Sequence, residues 1–314
     1  MQTALGTAII KLVNYVFIWL AFSLLIGTLL YTVFSFDDAN QLELNNILME
    51  SLAIFIPVLI ATLAASRLFD QRRWRSFGLA FYPKAGFEIF VGLLMGAGIL
   101  FLLWGIDAVW HFLAGGEGLV FPEIKASGTQ MLSLLLLMLV VAFSEELLVR
   151  GYPLQVIIRY VGVVPAVVFT SIIFGALHIT GDVWNAAVVV LDTGFSGVIF
   201  ALAYLKTRAL WMPIAIHFSN NFMISIFDEV NLNEINVIPP DVSQDAFWGW
   251  WLVNFPLYVI LILLIIRWRY RPDAKMERLF QQHVATLKAG SKPYDASDFS
   301  EPTASTTESG ENSQ

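Results

Sequence analysis

Met131–Arg150 reads MLSLLLLMLVVAFSEELLVR, an uninterrupted run of leucines and valines that ends in two adjacent glutamates, Glu145 and Glu146. The stretch is long enough and apolar enough to cross a bilayer, for which roughly 20 such residues are needed. One ionised carboxylate in hydrocarbon costs about 2.5–3.5 kcal/mol on insertion scales, and two neighbours also repel. Acids in such a place mark a functional site and demand partners.

The rest of the chain is of the same kind. Its 314 residues are 57% hydrophobic and 14% charged, far from the quarter charged of a soluble domain. The expected fold is therefore all-α, a polytopic membrane helix bundle with about eight transmembrane helices. Apolar stretches lie at about 10–34, 47–67, 87–112, 129–150, 162–180, 184–205, 209–227 and 247–266. The first has no short apolar region leading to a small-residue cleavage site, so we read it as a retained span.

Loop charges agree with this count. Arg67, Arg72, Arg73 and Arg75 follow the second stretch, Arg150 and Arg159 the fourth, Lys206 and Arg208 the sixth, and Arg267, Arg269 and Arg271 the eighth. The alternate connections carry Asp37, Asp38 and Glu43, then Glu117 and Glu123, then Asp182, then Asp228, Glu229, Glu234 and Asp241. Basic loops face the cytoplasm, which puts both termini inside.

Four regions result: a three-span region over 1–128, a core of spans four to seven over 129–227, an outer loop with the last span over 228–271, and a cytoplasmic polar tail over 272–314. A short surface helix is expected in 273–289, and disorder from about 292, where the acidic, Ser/Thr-rich chain lacks apolar residues to bury. With no cysteine in the chain, disulfides, thiolate metal sites and a cysteine nucleophile are excluded. There is no phosphate-binding glycine loop and no basic patch for nucleic acid.

Other polar residues fall within the spans: His178, His217, Asn220 and Asn221, with Asp192 and Glu50. Residues four apart share a helix face, so Glu146 can pair with Arg150, Phe174 lies over His178, and His217 projects with Asn221. Glu145 points about 100° away from Glu146, which separates their tasks. Depth decides whether these groups meet. If span four runs on past Arg150 and turns at Tyr160–Val163, Glu145 lies 14 residues before Arg159 and His178 lies 14 residues after Val164. Both arms are then about 21 Å, and the acid faces the imidazole. Pro153 should kink that rod. His217 would sit about 14 Å from the same side, nearer the surface.

A carboxylate with an imidazole can hold a water and take its proton. A second imidazole with a carboxamide can donate to a developing oxyanion. Glu145, His178 and His217 could instead ligate zinc, although HExxH is absent. Each residue alone has a plainer reading. A Glu–Arg pair stabilises a helix, an intramembrane His or Asn bonds a neighbouring helix, Phe174 is core, and Asp192 and Glu50 are hydrogen-bonded or boundary acids. The functional case rests on their co-occurrence.

Taken together, E145-E146-x-x-x-R150, F174-x-x-x-H178 and H217-x-x-x-N221 resemble the three signature motifs of the CPBP family, which comprises the type II CaaX prenyl endopeptidases and the bacteriocin-processing and immunity (Abi) proteins. GYPLQ after Arg150, SIIFGALH and LKTRALWMPIAIHFSNN share the family's character. The resemblance covers roughly 129–225. It implies an intramembrane endopeptidase in which Glu145 and His178 activate water, His217 and Asn221 stabilise the oxyanion, and Glu146, Arg150 and Phe174 support the site. It implies a membrane-associated peptide or protein as substrate and no required cofactor, with zinc as the open alternative. The charge pattern suits a bacterial cytoplasmic membrane. Two other classes compete: a non-catalytic scaffold or immunity factor, and a proton-coupled transporter using Glu145, Glu146 and Asp192 as a relay.

Overall fold

The computed structural model describes residues 4–33, 44–71, 74–113, 124, 127–179, 183–227 and 244–284. The acidic connections, Arg72 and Arg73, and the tail beyond 284 lie outside the described residues. Among the described residues ten α-helices follow in order: α1 Ala4–Val33, α2 Leu44–Ala65, α3 Ala85–Leu113, α4 Gly128–Glu146, α5 Pro153–Tyr160, α6 Val163–Ala176, α7 Val183–Thr207, α8 Trp211–Phe227, α9 Gln244–Arg267 and α10 Ala274–Val284. Among the described residues there is no strand.

Among the described residues five helical stretches are long and apolar enough to cross a membrane: Ala4–Val33, Asn46–Asp70, Ala85–Ile106, Gly128–Tyr160 and Ala186–Thr207. Helices also occupy the other three expected stretches: α6 has 14 residues, α8 has 17 and α9 has 24. The outer faces are apolar, with Phe17 71% and Leu24 73% exposed on α1, as expected of surfaces solvated by lipid.

The element that places the acids is the stretch Gly128–Tyr160. Ser127 starts it with a capping box, accepting from the Gln130 amide while its own amide donates to the Gln130 side chain at 2.8 Å. The helix does continue past Arg150. It passes through one wide turn, Leu147–Gly151, before Pro153 opens α5. Proline lacks an N–H and its ring crowds the preceding turn, so a widened turn just ahead of it relieves both problems. The Leu148 carbonyl accepts instead from the Tyr15 hydroxyl of α1 at 3.2 Å. The chain reverses at Gly162, whose φ of 126° is open to glycine, so the turn falls between Tyr160 and Val163 as expected.

α8 is held against α3 by close backbone approach. A Cβ at Gly92 would lie 2.7 Å from the Ala215 Cβ, and one at Gly96 would overlap the Ile216 carbonyl oxygen. Ser219 donates to the Leu93 carbonyl at 2.8 Å across the same contact. Small residues at four-residue spacing let helices pack this way without a hydrophobic drive from water. One apolar cluster joins Tyr15, Val58, Tyr152, Leu154 and Tyr204, so α1 and α2 pack directly on the rod that carries the acids.

At one end of the bundle Asp70 collects Lys11, the Tyr152 hydroxyl at 2.8 Å and Arg159 at 3.5 Å, tying α1, the end of α2 and α5 together. The short surface helix expected in 273–289 is α10. Arg208 holds it by an ion pair with Glu277 at 2.9 Å, its guanidinium lying 4.0 Å over the Phe280 ring.

Candidate active site

The residues singled out from sequence converge. Glu145 Oε2 lies 3.6 Å from His178 Nε2 and 3.7 Å from His217 Nε2. Each imidazole is fixed through its other nitrogen. His178 Nδ1 donates to the Phe174 carbonyl at 2.7 Å, and His217 Nδ1 donates to Glu146 Oε1 at 3.2 Å. Both Nε2 atoms therefore point at the Glu145 carboxylate. The i, i+4 relation of Phe174 and His178 is what makes the first of these bonds available: α6 ends at Ala176, and the ring folds back on the last turn.

Glu146 takes the other side. Its Oε1 accepts from Arg150 NH1 at 2.7 Å, and both side chains are fully buried. Arg150 NH2 donates to the Gly197 carbonyl of α7 at 3.0 Å, and the guanidinium plane lies 4.3 Å from the Phe174 ring centre. A planar, always-charged guanidinium suits this sandwich, because it can bond at its edge while an aromatic covers its face. The pair thus divides as the helix geometry requires, Glu145 toward the imidazoles and Glu146 toward Arg150.

Glu145, His178, His217 and Asn221 line one cavity of about 300 Å³, together with Asn220 and Asp192. A second cavity of about 450 Å³ reaches Glu145 and His178 from the α1–α2 side, past Trp19, Ser23, Ala53 and Val58. Ile54 and Phe174 line both, so the Glu145 carboxylate stands where the two meet. Asn220 faces this cavity beside Asn221 rather than serving only as a contact between helices. Glu50 lines neither cavity.

Several contributors were not singled out from sequence. Phe200 stacks on the His217 ring at 4.9 Å and 15°, and it too lies near Arg150, at 5.4 Å. The Gly197 carbonyl accepts from Arg150 NH2. His217 lies beside both glutamates, so Glu146 has an imidazole as well as Arg150 for a partner. Glu145, His178 and His217, the three side chains that could ligate zinc, are the ones that converge here.

Residues 127–223 match the family model described as type II CAAX prenyl endopeptidase Rce1-like. The matched segment holds all three motifs and every residue of the convergent site named above except those of α1 and α2. The match spans less than half of the chain and supports the likeness to the CPBP family that the motifs carry. No curated protein and no solved structure shows a significant match to the chain.

Proposed function

We propose that the protein is an intramembrane endopeptidase that hydrolyses a peptide bond of a membrane-associated protein or peptide by Glu/His-activated water. The observation that carries this reading is the Glu145 carboxylate set 3.6 and 3.7 Å from two imidazole Nε2 atoms on the wall of a cavity inside an apolar bundle. Those separations are too long for direct hydrogen bonds. A water about 2.8 Å from both the carboxylate and one imidazole fits off the line between them, at an angle of about 80°.

In the reaction Glu145 accepts a proton from that water while His178 Nε2 accepts a hydrogen bond from it, and the oxygen attacks the peptide carbonyl carbon. His217, carrying a proton on Nε2, and the Asn221 carboxamide donate to the oxyanion that forms. As the C–N bond breaks, the proton held by Glu145 passes to the departing amine. Glu146 and Arg150 take no part in bond making. They hold His217 and Phe174 in place, which is where preorganisation resides. The low dielectric of the surrounding helices strengthens each of these interactions.

The alternating loop charges further support eight spans with both termini inside, in a bacterial cytoplasmic membrane. Comparative proteomics of cells producing the wild type or Glu145→Gln tests the function. The expected result is a membrane peptide that stays uncleaved in the variant, and identical proteomes at equal protein levels would favour a scaffold or immunity role instead.

A further inference from the structure

Asp192 plays no part in the water-activating set, yet it lines the same 300 Å³ cavity as Glu145, His178 and His217. It lies on α7, 14 residues before Lys206, and therefore about 21 Å from that end of the helix. This is the level that the same arithmetic gives for His178. Its carboxylate is held in place. The Tyr258 hydroxyl of α9 donates to Asp192 Oδ1 at 3.0 Å. With that proton committed, Ser196 is the donor to the Tyr258 oxygen at 3.3 Å. Phe195 fixes the phenol from its face, stacked at 5.5 Å and 19°.

The charge of the cavity is one-sided. Among the described residues two acids line it and no lysine or arginine does, while Arg150 is turned away behind Phe174 and bonds Glu146 and the Gly197 carbonyl. Glu145 Oε2 has no hydrogen-bond partner among the described residues. An interior of low dielectric in which two carboxylates face one protonated imidazole, that of His217, is negative on balance and favours a positively charged guest over a neutral one of the same shape.

We infer that Asp192, oriented by Tyr258, is a specificity residue that receives a lysine or arginine side chain of the substrate next to the scissile bond. The small volume of the cavity confines that basic residue to the immediate neighbourhood of the bond. This assignment rests on the reading of the cavity as the peptide site.

The test is a binding measurement, so it does not depend on turnover. Glu145→Gln protein in lipid nanodiscs removes the competing carboxylate. It is titrated with two fluorescein-labelled leucine/alanine peptides that differ in one central residue, lysine or norleucine. The lysine peptide should bind at least about tenfold tighter, and the ratio should fall to about one when Asp192→Asn is added, while Asp192→Glu should keep the preference. Equal binding of the two peptides with Asp192 in place, no binding of either, or a ratio unchanged by Asp192→Asn would each overturn the assignment. The first two outcomes are read on protein with Asp192 intact and do not depend on how Asp192→Asn folds. Absence of Glu145-dependent cleavage by the wild type would instead sink the peptidase reading, and the binding ratio is measured separately from it.

Discussion

Replacing Arg150 with methionine should unfold this bundle more readily than any replacement at the lipid-facing surface. The substitution keeps much of the side-chain volume but removes the 2.7 Å bond to Glu146, the 3.0 Å bond to the Gly197 carbonyl and the guanidinium 4.3 Å over Phe174. What remains is a fully buried Glu146 with only His217, at 3.2 Å, to accept from. Breaking a buried pair from one side costs about 3–5 kcal/mol, most of it the stranded charge. The cation–π contact does not add independently, because all three interactions share one group. For a chain of this size, each kcal/mol moves the midpoint by about 2 °C, so the apparent Tm should fall by roughly 6–10 °C. The double variant Glu146→Gln/Arg150→Met removes both charges and should recover most of that loss, since neutral replacements of a buried pair are often nearly neutral in stability. Thermal scanning of intrinsic tryptophan fluorescence in one detergent at fixed protein concentration reads both shifts. An Arg150→Met shift below about 2 °C, or a double variant less stable than Arg150→Met alone, would refute the view that Glu146 and Arg150 stabilise each other.

Three further outcomes are expected. Phe200→Leu loses the ring that stacks on His217 and should lower kcat about tenfold with little change in KM, whereas equal losses in both would mean that Phe200 contacts substrate. Burial alone would raise the Glu277 carboxyl, but hydrogen bonds from Gln281 and Arg208 and the Arg208 charge outweigh it and hold the group below its usual range. Its contribution is therefore present above the ordinary glutamate value near pH ~4.3 and is lost as pH falls through the depressed value. Hydrogen exchange should show α10 loosening in that acid window, and Glu277→Gln should abolish the pH dependence. Cleavage by the purified protein should survive prolonged dialysis against a zinc chelator, and a loss restored by zinc would contradict a mechanism carried by Glu145 and His178 alone.

The path of the rod was legible because counting residues from Arg159 and Val164 places Glu145 and His178 level without any knowledge of packing. Pro153 gave the position of a disturbance but not its form, since a widened turn and a kink answer the same missing N–H. The end of α6 at Ala176 was not legible. SIIFGALHI stays apolar through His178, and it is the bond from the ring to the Phe174 carbonyl that marks the stop. Phe200 and Gly197 were invisible for a related reason: a phenylalanine or glycine in an apolar span fits lipid contact and helix packing equally well. Asp192 shows the opposite failure. It stood out, but only the cavity and Tyr258 separate a lining acid from a merely hydrogen-bonded one. The lengths of α6 and α8 also escaped periodicity, because apolar character does not report where a helix ends.

The central claim is that Glu145 moves a proton from water to the departing amine. Its most direct test uses the membrane peptide that accumulates in Glu145→Gln cells, added to wild-type or variant protein reconstituted in liposomes made up in ¹⁸O-water. The wild type should yield a new C-terminal carboxylate carrying one ¹⁸O atom, and Glu145→Gln and His178→Ala should yield none above background. Labelled product formed by Glu145→Gln at the wild-type rate would contradict the account.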